Sequence, residues 1–197
     1  EKKISVSNAA GYSTQAVAEL AISLMLSLLR HVPQVDARCR AGQTKDGLVG
    51  KELGSQTVGI VGTGAIGLRT AQLLRAFGSR VLAYAPREKE AAKGLVTYVP
   101  LQTLLAESDI VSLHCPLNDT TRNLINAERI GQMKPAALLI NVARGAVVDS
   151  AALAQALNSG KLAGAGIDVF ETEPPLSPDH PLLHTPNTIV TPHVAFA

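Results

Sequence analysis

Tryptophan is absent from the 197-residue chain, and three phenylalanines and three tyrosines are all that remain for stacking on exposed bases. With a net charge of only +2 and lysines and arginines scattered rather than striped, nucleic acid is not an expected partner. Cysteine is nearly missing too. Cys39 and Cys115 lie far apart and fit no metal-binding spacing, so both are expected as free thiols in a reducing, cytoplasmic setting, with no metal site. Long apolar runs are also wanting. The most apolar stretch, residues 16–29 (AVAELAISLMLSLL), contains Glu19 and stops at Arg30, short of the roughly 20 residues that span a bilayer. No export leader is read at Glu1, and no membrane association is expected. A buried helix or a subunit contact accounts better for that stretch.

What is present is a chain 46% apolar and 17% charged, enough to fold around a sizeable core. Ser13 or Thr14 can cap a first helix whose Val17, Leu20, Leu24 and Leu28 recur at helical spacing; it is expected to run past Pro33, with a kink, toward Arg40. Residues 41–54 then read as a connection. From there strands and helices alternate: TVGIV at 57–61, a helix over 65–77 with Ile66, Leu73, Leu74 and Phe77 inward, and RVLAY at 80–84. Further apolar runs follow at 110–113, 137–140, 165–169 and 188–190, with a helix over 151–157 capped by Asp149 or Ser150. Strands apolar throughout and separated by helices indicate a doubly wound α/β fold, a parallel sheet covered on both faces. Residues 171–187 carry five prolines and are expected as an irregular excursion before the last strand.

Directly after the first of these strands stands GTGAIG, with Gly62, Gly64 and Gly67 in G-x-G-x-x-G spacing, opening a helix. In that context the motif is a dinucleotide fingerprint. The first glycine permits a tight turn, the second lets the backbone approach a pyrophosphate, and the third lets helix and strand pack closely. Free N–H groups at Ala65 and Ile66 would hold the anion. A Gly-rich turn without a ligand is the plainer alternative. The acid usual at the end of the second strand, which would bind ribose hydroxyls, is replaced by Ala85, with Arg87 nearby. NAD and NADP therefore both stay open: Arg87 either pairs with a 2'-phosphate or is a solvated surface residue.

Arg144, Asp168, Glu173 and His193 each lie at or just after a strand's end. In a parallel sheet those ends share one edge, where ligands of open α/β sheets bind. Singly, each has a plain explanation: an ion pair for Arg144, a hydrogen-bonded core position for His193, solvation for Glu173. Together they suit hydride transfer to a 2-oxo acid. A guanidinium fork matches a substrate carboxylate. An imidazole can give its proton to the carbonyl oxygen. Glu173 is the candidate to orient that ring, and Asp168 is expected to face the nicotinamide carboxamide.

The blocks NAAGYSTQAVAELAISLML, TVGIVGTGAIG, DIVSLHCPLNDTTRNLIN, MKPAALLINVARGAVVD, GAGIDVFETEP and NTIVTPHVA cover nearly the whole chain. In order and spacing the sequence resembles the D-isomer-specific 2-hydroxyacid dehydrogenases, the family that includes phosphoglycerate dehydrogenases and glyoxylate/hydroxypyruvate reductases. The resemblance implies a Rossmann-type cofactor domain and places the family's catalytic arginine, glutamate and histidine on Arg144, Glu173 and His193. It implies that His114, Cys115 and Pro116 pass over the cofactor, with Thr121 just beyond. Tyr84, Ala85, Pro86 and Arg87 at the second strand's end, and Asn141, Val142, Ala143 and Asp168, are likewise expected to line it. It further implies that residues 1–40 form a hinge and homodimer helix region beside a core at 55–197, and that the family's smaller substrate domain is not in this chain. The implied partner is a small 2-oxo or 2-hydroxy acid. The alternative is a dinucleotide-sensing, corepressor-like interaction protein of the same fold.

Overall fold

A computed structural model describes residues 11–197. The start of the NAAGYSTQ block and of the 1–40 region lies outside them. Seven strands form one all-parallel sheet in the order β3-β2-β1-β4-β5-β6-β7: β1 (Thr57–Val61), β2 (Arg80–Tyr84), β3 (Thr97–Tyr98), β4 (Ile110–Leu113), β5 (Ala137–Asn141), β6 (Leu162–Ile167) and β7 (Thr188–Val190). The order reverses between β1 and β4, and a crevice opens at their carboxyl ends, where such sheets bind ligands.

Alternate residues of each strand feed two separate cores. Val58, Ile60, Val81, Ile110 and Ile140 pack with Ala21, Leu24 and Met25 of α1 (Thr14–Leu29) and Leu74 of α3 (Ala65–Phe77). Leu82, Val111, Leu113 and Leu139 pack on the other face with α4 (Leu101–Glu107), α5 (Ala127–Gln132) and α6 (Ser150–Asn158) through Leu104, Leu105, Ile130, Leu153 and Leu157. Burial on both faces is why the strands read as unbroken apolar runs. Among the described residues no single helix is long and apolar enough to cross a membrane.

Four local expectations are corrected. The first helix does not run on through Pro33. It ends at Leu29, His31 takes a left-handed φ of 52°, and α2 (Val32–Arg40) starts afresh at a 58° bend with the proline in its first turn, where a missing N–H costs nothing. Ser13 makes no side-chain cap there, whereas the Asp149 carboxylate accepts from Ala152 N and does cap α6. Phe77 is 49% exposed rather than inward. β6 begins at Leu162, three residues before the expected 165, and its glycines explain why: α1 crosses it so closely that a Cβ on Gly166 would stand 2.9 Å from the Leu24 Cβ. Strand β3, two residues long, carries no periodicity to read.

Candidate active site

β1 ends at Val61, and Gly62 turns the chain with φ 101°, a conformation side chains rarely adopt. A Cβ there would also stand 2.8 Å from the backbone of His114 and Cys115, and one on Gly67 would strike the Gly62 carbonyl. The turn is therefore pressed between β4's exit and α3's first turn. Gly64, the N-cap of α3, has open space where a Cβ would be and offers no side-chain cap. The amides of Ala65, Ile66 and Gly67 thus keep free donors at the positive end of a helix, a fit for a pyrophosphate. Gly62 N donates to Tyr84 O at 2.8 Å, which draws β2's exit and the exposed Pro86 and Arg87 beside the same turn.

Next to it lies a groove of about 520 Å³ lined by Ile66, His114, Cys115, Pro116, Leu117, Val142, Ala143 and Arg144. Six of the residues expected near the cofactor and the expected guanidinium are thereby brought together. Arg144 is exposed; its Nη1 donates to the Ala143 carbonyl at 2.6 Å, and among the described residues it has no ion-pair partner. Asn141 does not reach the groove. It is buried, with Nδ2 donating to Arg144 O at 3.0 Å and Oδ1 accepting from Ala143 N at 3.1 Å, so it builds the turn that presents Arg144. Thr121 also falls outside the lining: its hydroxyl donates to Pro116 O at 2.6 Å and accepts from Asn118 N at 2.8 Å, closing the 116–121 loop.

His193 and Glu173 meet directly. The ring's Nδ1 lies 3.0 and 2.9 Å from the two carboxylate oxygens, and Nε2 has no partner among the described residues. His193 has φ 57°, and the residue that holds it so is Asp168. The Asp168 carbonyl accepts from His193 N at 2.8 Å, while its carboxylate accepts from Thr191 Oγ1 (2.5 Å), Val194 N (3.0 Å) and Ala195 N (3.0 Å). Asp168 is wholly buried, with no surface toward the groove. Its carboxylate fastens the histidine turn. The third link is Gly145, where any Cβ would run into the backbone of Phe170 and Glu171. The Arg144 turn is thus pressed against the segment that leads to Glu173. No local pattern revealed Asn141, Gly145 or Asp168 as builders; a glycine directly after the arginine was the one available signal.

His114 borders the groove with one face and buries the other. Its Nε2 lies 2.9 Å from Ser112 Oγ on β4, and its Nδ1 is buried with no partner. Burial lowers its pKa to about 4, so the ring is neutral near pH 7.

The sequence profile of the D-isomer specific 2-hydroxyacid dehydrogenase NAD binding domain matches residues 22–195. A hydroxypyruvate reductase of Thermotoga maritima is 43% identical over 98% of this chain and 64% of its own length. A glyoxylate reductase of Korarchaeum cryptofilum is 42% identical over 100% of this chain and 61% of its own. Among solved structures, the pyruvate reductase of Chlamydomonas reinhardtii superposes with a TM-score of 0.91 at 42% identity, over 98% of this chain and 63% of that one. A D-lactate dehydrogenase with NAD+ from Lactobacillus jensenii gives 0.89 at 36% identity, over 98% and 63%. The chain thus spans about three fifths of the length of these relatives. The corepressor-like alternative draws no support from them.

The buried His114 sets a pH dependence. An unfolded chain protonates this ring near pH 6.5, the folded one only near 4. The unfolded state therefore binds the extra proton as pH falls through that window, and stability is full above about 6.5 and declines toward 4. By pH 5 the loss from this group is about 2 kcal/mol. Urea unfolding at pH 7 and pH 5 is expected to show a shallower decline for His114→Gln. A His114 ring proton titrating near 6.5 by NMR would contradict this account.

Proposed function

Because the chain belongs to the D-isomer-specific 2-hydroxyacid dehydrogenases, as their NAD-binding domain, we propose that it carries the cofactor and the proton-transfer groups of an enzyme interconverting a small 2-oxo acid and its D-2-hydroxy acid. The observation that carries this reading is the His193–Glu173 pair, together with a groove lined by Arg144, which has no ion-pair partner among the described residues.

Gly62, Gly64 and Gly67, with the amides of Ala65 and Ile66, cradle the pyrophosphate; Tyr84 to Arg87 border the adenosine ribose; Ile66, His114 to Pro116, Val142 and Ala143 flank the nicotinamide. When bound, NAD(P)H supplies the hydride that reaches the substrate's C2. The chain's own residues do the rest. Arg144, exposed and without an ion-pair partner among the described residues, takes the substrate carboxylate in its planar fork. His193 Nε2, without a partner among the described residues, gives its proton to the carbonyl oxygen as the C–H bond forms, and takes it back in the reverse direction. Glu173 accepts from Nδ1–H, which fixes the ring's direction and favours its protonated form. The relatives' further length is read as a second lobe that closes over this edge and excludes water, so this chain by itself is expected to bind dinucleotide but turn over little. Glyoxylate and hydroxypyruvate, named for two relatives, are the first substrates to try. The free thiols Cys39 and Cys115 support a reducing, cytoplasmic setting.

A homodimer is also proposed, through a nearly wholly apolar groove between α1 and α3. Ile22, Leu26, Leu73 and Phe77 line it, and α2's first residue, Val32, sits at its rim. Phe77 at 49% exposed and Val32 at 47% are costly to leave in water. The region 1–40 then serves as both hinge and contact.

Two outcomes are expected. In the full-length enzyme, Arg144→Ala lowers kcat/KM by on the order of a hundredfold, about 3 kcal/mol of lost transition-state binding; turnover left intact would remove the carboxylate clamp. In sedimentation equilibrium the chain is dimeric at micromolar concentration and Phe77→Glu makes it monomeric, the substituted side chain having never been part of its own core. An unaltered chain that sediments as a monomer would refute the contact.

A further inference from the structure

The exit of β2 is built for an anion rather than for a pair of ribose hydroxyls, and we infer that this chain selects the 2'-phosphorylated dinucleotide, NADP(H), over NAD(H). The inference rests on the dinucleotide reading above and deepens it.

Register fixes where the adenosine ribose lies. Val61 and Tyr84 are paired, and Gly62 N donates to Tyr84 O, so the residue after Tyr84 stands beside the glycine turn. That residue is Ala85. A carboxylate in this place would accept from the 2'- and 3'-hydroxyls and repel a 2'-phosphate; a methyl group does neither.

The segment beyond Ala85 is held near the turn. Lys89 N donates to Tyr98 Oη at 3.2 Å, and Tyr98 Oη donates to Thr63 Oγ1, inside the glycine loop, at 2.9 Å. Thr63 is only 3% exposed, so the bridge ends on a fixed point. Tyr98 is itself fixed by pairing of β3 with β2, through Ala83. One phenol therefore ties the segment carrying Arg87 to the loop that receives the pyrophosphate. Arg87 and Lys89 are both exposed, and among the described residues neither has an ion-pair partner. The nearby acids are Glu88, between them, and Glu90, which Lys93 engages at 3.4 Å. Residues 85–89 thus hold two cations against one acid. A phosphate dianion is the ligand that this balance favours, and a guanidinium meets it with paired donors.

Calorimetric titration of the chain with NADP+ and NAD+, which differ only in the 2'-phosphate, tests this. NADP+ is expected to bind on the order of tenfold more tightly, with the advantage shrinking as salt rises because the cations are exposed. Arg87→Gln narrows the ratio of the two dissociation constants, and Ala85→Asp inverts it. Equal or tighter binding of NAD+ by the unaltered chain would overturn the inference while leaving the dehydrogenase reading in place, as would an Arg87→Gln chain with the ratio unchanged. Binding of neither nucleotide would overturn both.

Discussion

One buried carboxylate organises the working edge of this protein. Asp168 directly follows β6, its N–H donates to Asn141 O at the end of β5, and its carbonyl and carboxylate together accept four hydrogen bonds from residues 191–195. A carboxylate without exposed surface is costly unless its lone pairs are met, and here Thr191 and two backbone amides meet them. The return is geometric. A left-handed histidine is strained by about 1 kcal/mol or more, and the same bonds that satisfy Asp168 hold His193 in that conformation.

Arg144 is presented by a parallel device. Asn141 uses its amide to close the turn on both sides, and Gly145 lets that turn press against the chain leaving β6. An imidazole and a guanidinium at the exits of separate strands thus share one frame. Glu173 is fastened differently. Its side chain is 73% exposed on the proline-rich excursion, and its contact is His193 itself. The excursion is braced just before it, where His180 Nε2 lies 3.3 Å from the Glu171 carboxylate and its ring stands edge-on to Phe170. Against burial, which raises it, the Glu171 pKa is lowered by hydrogen bonds from Ser150, from its own backbone and from His180. Glu173 is therefore the least fastened member of the site.

Much of this was legible in the sequence because it rests on local pattern. Strands buried on both faces leave apolar runs, and a glycine triplet between strand and helix has one economical explanation. The set Arg144, Glu173 and His193 could be placed on one edge from the parallel topology alone. What escaped has a common cause. β6 carries glycines whose need is set by α1 crossing overhead, Phe77 faces outward on a helix whose period allowed either reading, and the helix break falls at His31 because Pro33 fits only a first turn. The hydrogen-bond partners of Asn141 and Asp168 lie across the sheet edge or around a turn, where spacing along the chain says nothing.

The most direct trial of Asp168 as the fastening of the histidine turn is amide hydrogen exchange in Asp168→Asn. The substitution keeps the shape and turns one acceptor oxygen into a donor facing a backbone N–H. Much faster exchange is expected at Val194 and Ala195, with a loss of about 2 kcal/mol or more in stability. Protection at those two amides equal to that of the unaltered chain, with the damage confined to nucleotide affinity, would contradict it.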